Sequence, residues 1–449
     1  MFKTLKNSWK IPELKNKLLF TLLIIILFRL GSAIPVPYVN AESLGMSTAF
    51  QGNIFEFLNI LTGSALSQGT LFALGVQPYI TASIVMQLLT IAIPYFERKA
   101  KEGDEGKKVI DAWTRGITIV LAVVTAWGYV GMLDNLTDAA GNRMSALYGS
   151  GVGKPFVYIV MIACYCAGAA LVMWLAERIN DHGIGNGVSI ILFAGIISSI
   201  PSQALQLWRA AFNNPFSANG FDVWGLIVGI LFVIGILGLL MLIVWMSDAE
   251  RRIPIQYAKR VVGRKMYGGQ NTNLPIKVNM SGVMPIIFAN SIVAILPTIA
   301  QFINKENWFT KFVRNWFSPT TWPYLIVFLL LLIAFAYFYV SISFNPIEVA
   351  NNIKNNGGAI PGIRSGRPTV DFIKKVLSKI TFLGALLVAV VACVPMIAGI
   401  VLSYFPLGLL ISAMAFGGSS MMIVVGVAIE TTRELEAQMS LRNYKGFLD

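Results

Sequence analysis

The sequence predicts an all-α integral membrane protein that crosses the bilayer ten times. Three observations point there. Apolar residues make up 56% of the 449 positions, against about 45–50% in soluble domains. Charged residues are only 13%, roughly half the usual share, and the mean hydropathy is +0.68. The apolar residues are also gathered into runs close to the ~20 residues that span a hydrocarbon core of about 30 Å. No soluble fold could hide this much apolar surface, so most of the chain has lipid as its solvent. Disordered chains and collagen-like or coiled-coil rods are excluded on the same figures, and a disulfide scaffold by the presence of only three cysteines.

The first run, Leu18 to Ile34, follows a basic tail carrying Lys3, Lys6, Lys10, Lys15 and Lys17. Its charge layout resembles a signal peptide. No small-residue cleavage site follows it, whereas Pro35-Val36-Pro37 does, so it is expected to be a retained first helix. Nine more runs follow, at about 76–93, 112–133, 155–175, 186–207, 222–246, 282–303, 323–344, 376–402 and 407–429. The run at 186–207 is the weakest because Pro201 interrupts it. Between the first two, Asn53 to Gly75 is moderately apolar but broken by Gly63, Ser64, Ser67 and Gly69. A re-entrant segment or half-helix fits it, and such backbone survives at membrane depth only inside protein or beside a water-filled cavity.

Ten spans place both termini on one side, and Lys and Arg choose the side. Most of the 35 basic residues fall in the N-terminal tail and in the second, fourth, sixth and eighth loops and the C-terminal tail. The opposite loops hold only Arg143, Lys154, Arg209, Lys305, Lys311 and Arg314. Both termini are therefore expected to be cytoplasmic. The net charge of +13 would suggest nucleic acid in a soluble protein. Here it is a topology signal first and a contact for an acidic partner second, with no direct DNA binding expected.

One internal echo is visible. Gly75-Val76-Gln77-Pro78-Tyr79-Ile80-Thr81-Ala82 parallels Gly282-Val283-Met284-Pro285-Ile286-Ile287-Phe288-Ala289, with Gly, Val, Pro, Ile and Ala matching at a constant offset. These segments open the second and seventh spans, five helices apart. An odd offset inverts topology, so a true repeat would relate two halves by an axis in the membrane plane.

Enzyme chemistry is poorly supported. There is no Gly-x4-Gly-Lys-Ser/Thr loop, no His-Glu-x-x-His and no paired-Cys metal pattern, so neither cofactor nor metal is expected. Cys164 and Cys166 lie two apart and point to different sides of a helix, so packing is the expected role for them and for Cys393. Gly183-Ile184-Gly185-Asn186-Gly187 lacks the preceding strand of a phosphate cradle and is expected to start the fifth helix. Arg29 is deep in the first span, where either snorkelling to the interface or an interhelical bond would accommodate it. Ile80 and Ile84 share one face of the second span, while Thr81, Ser83 and Gln87 give it polarity that lipid does not require. That span is expected to be internal. The sixth loop, from Ser247 to Arg260, mixes Arg251, Arg252, Lys259 and Arg260 with Ile253, Pro254, Ile255 and Tyr257. The eighth contains Gly357-Gly358-Ala359-Ile360-Pro361-Gly362-Ile363-Arg364-Ser365-Gly366, with Arg367 next. A topology signal needs only charge. The added aliphatic and turn residues suggest a shaped docking surface for a protein or ribosome, with anionic lipid headgroups as the simpler alternative.

At these residues the sequence resembles the SecY/Sec61 alpha family of protein-conducting channels, from the first span to the tenth. The segments that carry the resemblance are Arg29-Leu30-Gly31 with Ile34-Pro35-Val36-Pro37; Ala73 to Ile84; Gly183 to Gly187; Arg251-Arg252-Ile253-Pro254 with Tyr257-Ala258; Pro275 to Val283; Pro361-Gly362-Ile363-Arg364; and Phe416-Gly417-Gly418. Two positions depart from the family pattern: Asp181-His182 stands where Glu-Arg is usual, and Ser365 where Pro is usual. Neither falls at the pore, and both bear on cytoplasmic docking.

The resemblance implies an hourglass of two inverted halves, 1–210 and 211–449, hinged between the fifth and sixth helices, with a re-entrant plug helix. It would open across the membrane and also sideways, between helices 2–3 and 7–8. By motif position the pore ring would be Ile80, Ile84, Leu192, Ile287, Met421 and Ile423. The plug would be Leu61, Thr62, Gly63, Ser64, Ala65, Leu66, Ser67, Gln68, Gly69, Thr70, Leu71 and Phe72. The implied partners are SecE, SecG, the SecA motor, the ribosome, signal peptides and unfolded preproteins, and the implied location is the bacterial cytoplasmic (inner) membrane. The rival readings are a ten-helix secondary transporter for a small solute, which needs ionisable or carbonyl ligands at mid-depth, and a membrane-embedded enzyme, for which no residue cluster exists.

Overall fold

The structure, a computed structural model, describes residues 8–40, 44, 54–134, 136–137, 143–144, 153–212, 223–257, 260–262, 265–267, 271–302, 307–317, 321–402 and 417–445. In the first half of the chain the helices are α1 (Pro12–Gly31), α2 (Ile54–Leu61), α3 (Gln77–Ala92), α4 (Pro94–Lys101), α5 (Asp104–Asp134), α6 (Lys154–His182) and α7 (Gly187–Phe212). In the second they are α8 (Val223–Asp248), α9 (Met284–Phe302), α10 (Trp308–Trp316), α11 (Trp322–Ser343), α12 (Pro346–Asn355), α13 (Arg367–Leu402) and α14 (Gly417–Lys445). The ten long ones, α1, α3, α5, α6, α7, α8, α9, α11, α13 and α14, overlap the ten apolar runs. Over the described residues, Asp104–Asp134, Lys154–His182, Trp322–Asn355 and Arg367–Ala398 are each long and apolar enough to cross a membrane alone. α3 and α4 together form a further candidate span, bent by 99° at the break before Pro94.

Proline sets many of these boundaries. α1, α3, α4, α6, α11 and α12 each carry one in the first turn, where the missing N–H is not needed. α7 continues through Pro201, as α9 does through Pro297 and α13 through Pro395. Packed neighbours make such breaks tolerable in membrane helices, which is why Pro201 does not end the fifth span.

The packing repeats. In the first half α3 packs on α5, α5 on α6, α6 on α7, and α1 on both α6 and α7. In the second half α9 packs on α11, α11 on α13, α13 on α14, and α8 on both α13 and α14. These are the same five pairings in the same order, so the short echo in sequence belongs to a repeat of whole helical units. The halves meet along two seams. On one side α9 lies against α3 and α5; on the other α7 lies against α8 and α14. One apolar core runs through both halves and across the seams.

The sixth and eighth loops are joined in one sheet, which the sequence analysis does not anticipate. β3 (Glu250–Tyr257) pairs antiparallel with β6 (Asn271–Lys277) and, at Gln256↔Ala359 and Tyr257↔Gly358, with β7 (Gly358–Ala359). Ile253 and Ile255 on β3 point inward with Ile276 and, together with Ile353, Ile360 and Ile373, form a separate small core. Two further two-stranded pairs, β1 (Leu136–Thr137) with β2 (Arg143–Met144) and β4 (Arg260–Val262) with β5 (Lys265–Tyr267), are the other strands among the described residues.

Candidate functional site

The two echoed segments adopt the same local geometry. Gly75 and Gly282 both take left-handed backbone, with φ of 55° and 62°, a conformation that glycine accepts without a Cβ clash. Each stands two residues before a helix whose second residue is proline, Pro78 in α3 and Pro285 in α9. Ile80 and Ile287 therefore sit one turn into matching helices that face each other across a seam. Leu192 from α7 and Ile423 from α14 join them. These four residues, with Leu61, Gln77, Asn290 and Ser291, line one cavity between the two halves. Measured to the centre of a water-sized sphere it holds about 10 Å³, roughly enough for one water. No lining residue is ionisable. Ile84 is buried one turn further along α3, and half-buried Met421 packs against the same core; neither lines the cavity. Asn290 is buried, and neither its amide nitrogen nor its carbonyl oxygen has a protein hydrogen-bond partner.

Residues 61–72 run on from this cavity, which Leu61 lines. The helix in this region is α2, which ends at Leu61, and residues 62–72 form a chain of turns. The expected plug helix thus precedes the plug segment rather than forming it. Positive φ at Gly63, Ser64 and Gly69 breaks the helical path. Of the twelve residues only Gln68 is exposed. Polar backbone buried this deeply needs partners, and three helices supply them. Arg29 Nη1 of α1 donates to Gly63 O at 3.3 Å and to Ser198 Oγ of α7 at 2.7 Å. The Tyr129 hydroxyl of α5 donates to Leu66 O, and the Tyr165 hydroxyl of α6 to Gly69 O at 3.3 Å. The two tyrosine rings meet edge to face, with centroids 5.1 Å apart. The segment after α1 contributes Val36 N to Gly69 O at 3.2 Å and receives Leu71 N on Ile34 O at 2.9 Å.

Close approach matters as much as hydrogen bonding. A Cβ on Gly195 of α7 would lie 2.0 Å from Leu61 O, and one on Gly168 of α6 would lie 2.0 Å from Leu71 O. On the α3–α5 side the fit is loose. There an apolar cavity of about 90 Å³, on the same measure, is lined by Leu61, Thr62, Leu66, Ala73, Tyr129 and others.

Arg29 thus makes an interhelical bond; of the two possibilities open in sequence, this is the one adopted. Its partner Ser198, the tyrosine pair and Asn290 are absent from the sequence reading. Each gains its role from helices distant in sequence, and only an aromatic hydroxyl or amide within an apolar run marks it beforehand. α3 is internal over its first part and not beyond: Ile80, Ala82, Ile84 and Met86 are buried on opposite sides of the helix, while Val85, Leu88 and Ile91 are exposed. The Gly183–Gly187 run does start a helix, with Asn186 Oδ1 accepting from Ser189 N at 3.2 Å and Asn180 Oδ1 from Gly187 N at 2.7 Å.

On the loop side, Arg251, Arg252, Arg364 and Arg367 are all exposed. Arg252 is paired with Glu250 at 2.6 Å. Lys259 lies outside the described residues, as does the side chain of Arg260. Gly362 and Gly366, with φ of 79° and 106°, bracket the turn that carries Arg364, and Thr369 Oγ1 donates to Arg364 O at 2.9 Å. Nearby, Arg433 ties α14 to the end of α8 through Asp248 and Ser247 O, both at 2.8 Å. Crowding out of water, then the Glu434 charge, holds the Glu430 carboxyl above its ordinary range. Desolvation, then Arg433, holds the Lys277 ammonium below its own.

A family model described as SecY matches residues 70–432. The chain belongs to the SecY family. Among full-length relatives, protein translocase subunit SecY of Streptomyces coelicolor is 42% identical, and that of Mycobacterium bovis 39%, each comparison covering 100% of both chains. Solved structures agree on the SecY fold. A protein-conducting channel superposes with TM-score 0.66 at 20% identity over 95% of this chain and 92% of its own. Sec61 in a canine ribosome-channel complex gives 0.62 at 19% identity over 95% and 92%. This SecY-family chain is therefore an all-α, multi-pass membrane protein and not an enzyme.

Proposed function

We propose that the chain is the central pore-forming subunit of a protein-conducting channel in the bacterial cytoplasmic membrane. It passes unfolded secretory proteins across the bilayer and releases the helices of membrane proteins sideways into lipid. The observation that carries this reading is the convergence of Ile80, Leu192, Ile287 and Ile423, two from each half, on one small uncharged cavity that Leu61 also lines. A channel for chains of varied sequence must seal without fixed charge, which would bind some segments and repel others. Branched apolar side chains close around any chain and exclude water when empty. An ion-coupled transporter keeps ionisable groups at this depth, and none lines this cavity; family membership also favours the channel.

In this reading Ile80, Ile84, Leu192, Ile287, Met421 and Ile423 form the gasket and residues 61–72 the plug. The seam of α9 with α3 and α5 is the lateral gate. The halves 1–210 and 211–449 hinge where α7 meets α8. The joined loops bearing Arg251, Arg252, Lys259, Arg260, Arg364 and Arg367 dock the SecA motor and the ribosome, with SecE and SecG as the small companions. Signal peptides enter at the gate, anionic lipids border it, and both termini are cytoplasmic. The chain reconstituted with these companions and the motor should carry a preprotein into protease-protected vesicle space. A reconstituted complex that binds motor and preprotein yet protects none of it would refute the assignment.

A further inference from the structure

We infer that Arg29 is the latch that keeps the plug seated, acting from α1 through one bifurcated contact to the plug backbone and to α7. This rests on the plug reading above and adds to it the residue that sets how readily the plug leaves. The plug is held unevenly. Towards α1, α6 and α7 it lies against bare helix backbone at Gly168 and Gly195, while towards α3 and α5 it borders the 90 Å³ apolar cavity. Displacement is therefore cheapest towards the gate helices, and the restraint opposing it must pull from α1 and α7.

Arg29 is placed to do this. It is the only cation within the first apolar run, and its Nη1 reaches Gly63 O at 3.3 Å and Ser198 Oγ at 2.7 Å. Ser198 is itself held, donating to Gly195 O at 2.7 Å. Gly63 has φ of 65°, and a Cβ there would fall 2.6 Å from Arg29 Nη1 and 2.4 Å from Ser198 Oγ. The guanidinium therefore presses on plug backbone with no side chain between them. Gly63 is also the second residue past α2, where the chain stops being helical. A restraint here fixes where the turn segment begins, while Tyr129 and Tyr165 hold its middle. Charge-assisted bonds to a carbonyl away from bulk water are among the stronger hydrogen bonds. Losing this one leaves Gly63 O without its cation and frees the hinge of the plug.

The test uses the channel complex purified from membranes and measured in planar bilayers. Four channels are compared: wild type, Arg29→Met, a plug deletion lacking residues 62–71, and both changes together. Arg29→Met should raise the resting ion leak by roughly ten-fold, the population shift expected for loss of one charge-assisted bond. In the plug-deleted channel the same substitution should add nothing, because the latch then has nothing to hold. Arg29→Lys, able to reach one of the two acceptors, should fall in between. No change on Arg29→Met with a leaking plug deletion overturns the latch alone. An equal increment with and without the plug shows that Arg29 supports the bundle and not the plug, and also overturns it. A plug deletion that does not leak overturns the sealing role of residues 62–71 and the latch with it. Should Arg29→Met fail to accumulate in membranes, Ser198→Ala removes a single hydroxyl and carries the same comparison, with a smaller increase that must likewise vanish in the plug-deleted background.

Discussion

Ile80 and Ile423 offer no group that water can bond, and a constriction lined by such side chains stays dry when empty. Ile80→Asn and Ile423→Asn should therefore raise single-channel leak and relax selectivity for export signals. Leu239→Asn, half-exposed on α8 and away from the cavity, should do neither. Equal leak from ring and control variants would make the ring ordinary packing. Asn290 presents the opposite case. A buried amide without protein partners costs about 1–3 kcal/mol, and it faces α3 across the seam beside Gln77 and Ser291. Asn290→Leu should tighten that seam, raising the thermal midpoint in detergent and slowing preprotein transport. Faster transport would contradict this. At this scale the sequence was informative only where a pattern repeats locally. The shared face of Ile80 and Ile84 is visible in a window of five residues. The bond from Arg29 to Ser198 closes over 169 positions, and no window contains both.

Helices were the most legible elements, because apolar runs of membrane-spanning length have few other solutions. Their ends were less so. α5 and α13 begin eight or more residues before their apolar runs, since polar first turns project beyond lipid and continue the same backbone ladder. The sheet was hidden for a different reason. β3 shows inward positions at Ile253 and Ile255, yet its partner β7 lies about a hundred residues away. A strand of two residues carries no periodicity. The pairing makes the sixth and eighth loops one body, so Arg364 is presented by a supported turn. Guanidinium suits forked bonding to a partner's carboxylates or carbonyls. Arg364→Glu should abolish motor-driven export while the protein still accumulates in the membrane at normal levels. Normal export, or loss of the protein, would remove the docking role.

At the scale of the whole molecule the matched pairings of the two halves explain why a five-residue echo was meaningful. Identical packing needs only a few fixed positions at each helix start, and drift elsewhere erases the rest. The two seams are unequal in what they must do. If α3 and α5 are to part from α9, the α7–α8 side has to hold the halves together. A small helical protein should therefore copurify from native membranes, and the chain stripped of it should lose activity and order in detergent. Full activity of the isolated chain would refute this.

The shortness of α3 has a consequence for the lipid. Its sixteen residues rise about 24 Å, against a hydrocarbon thickness of about 30 Å, and the chain then turns through 99° into α4. Val85, Leu88 and Ile91 are exposed along this short wall. Lipid beside them is compressed to match, at fractions of a kcal/mol per Å of mismatch. The bilayer next to the gate is then thinner than elsewhere. A segment leaving sideways meets a shorter hydrocarbon path, and a polar side chain near its middle remains closer to headgroups and water. Segments of marginal hydrophobicity should insert less efficiently when the channel is reconstituted in lipids with longer acyl chains, while strongly apolar segments should be indifferent to chain length.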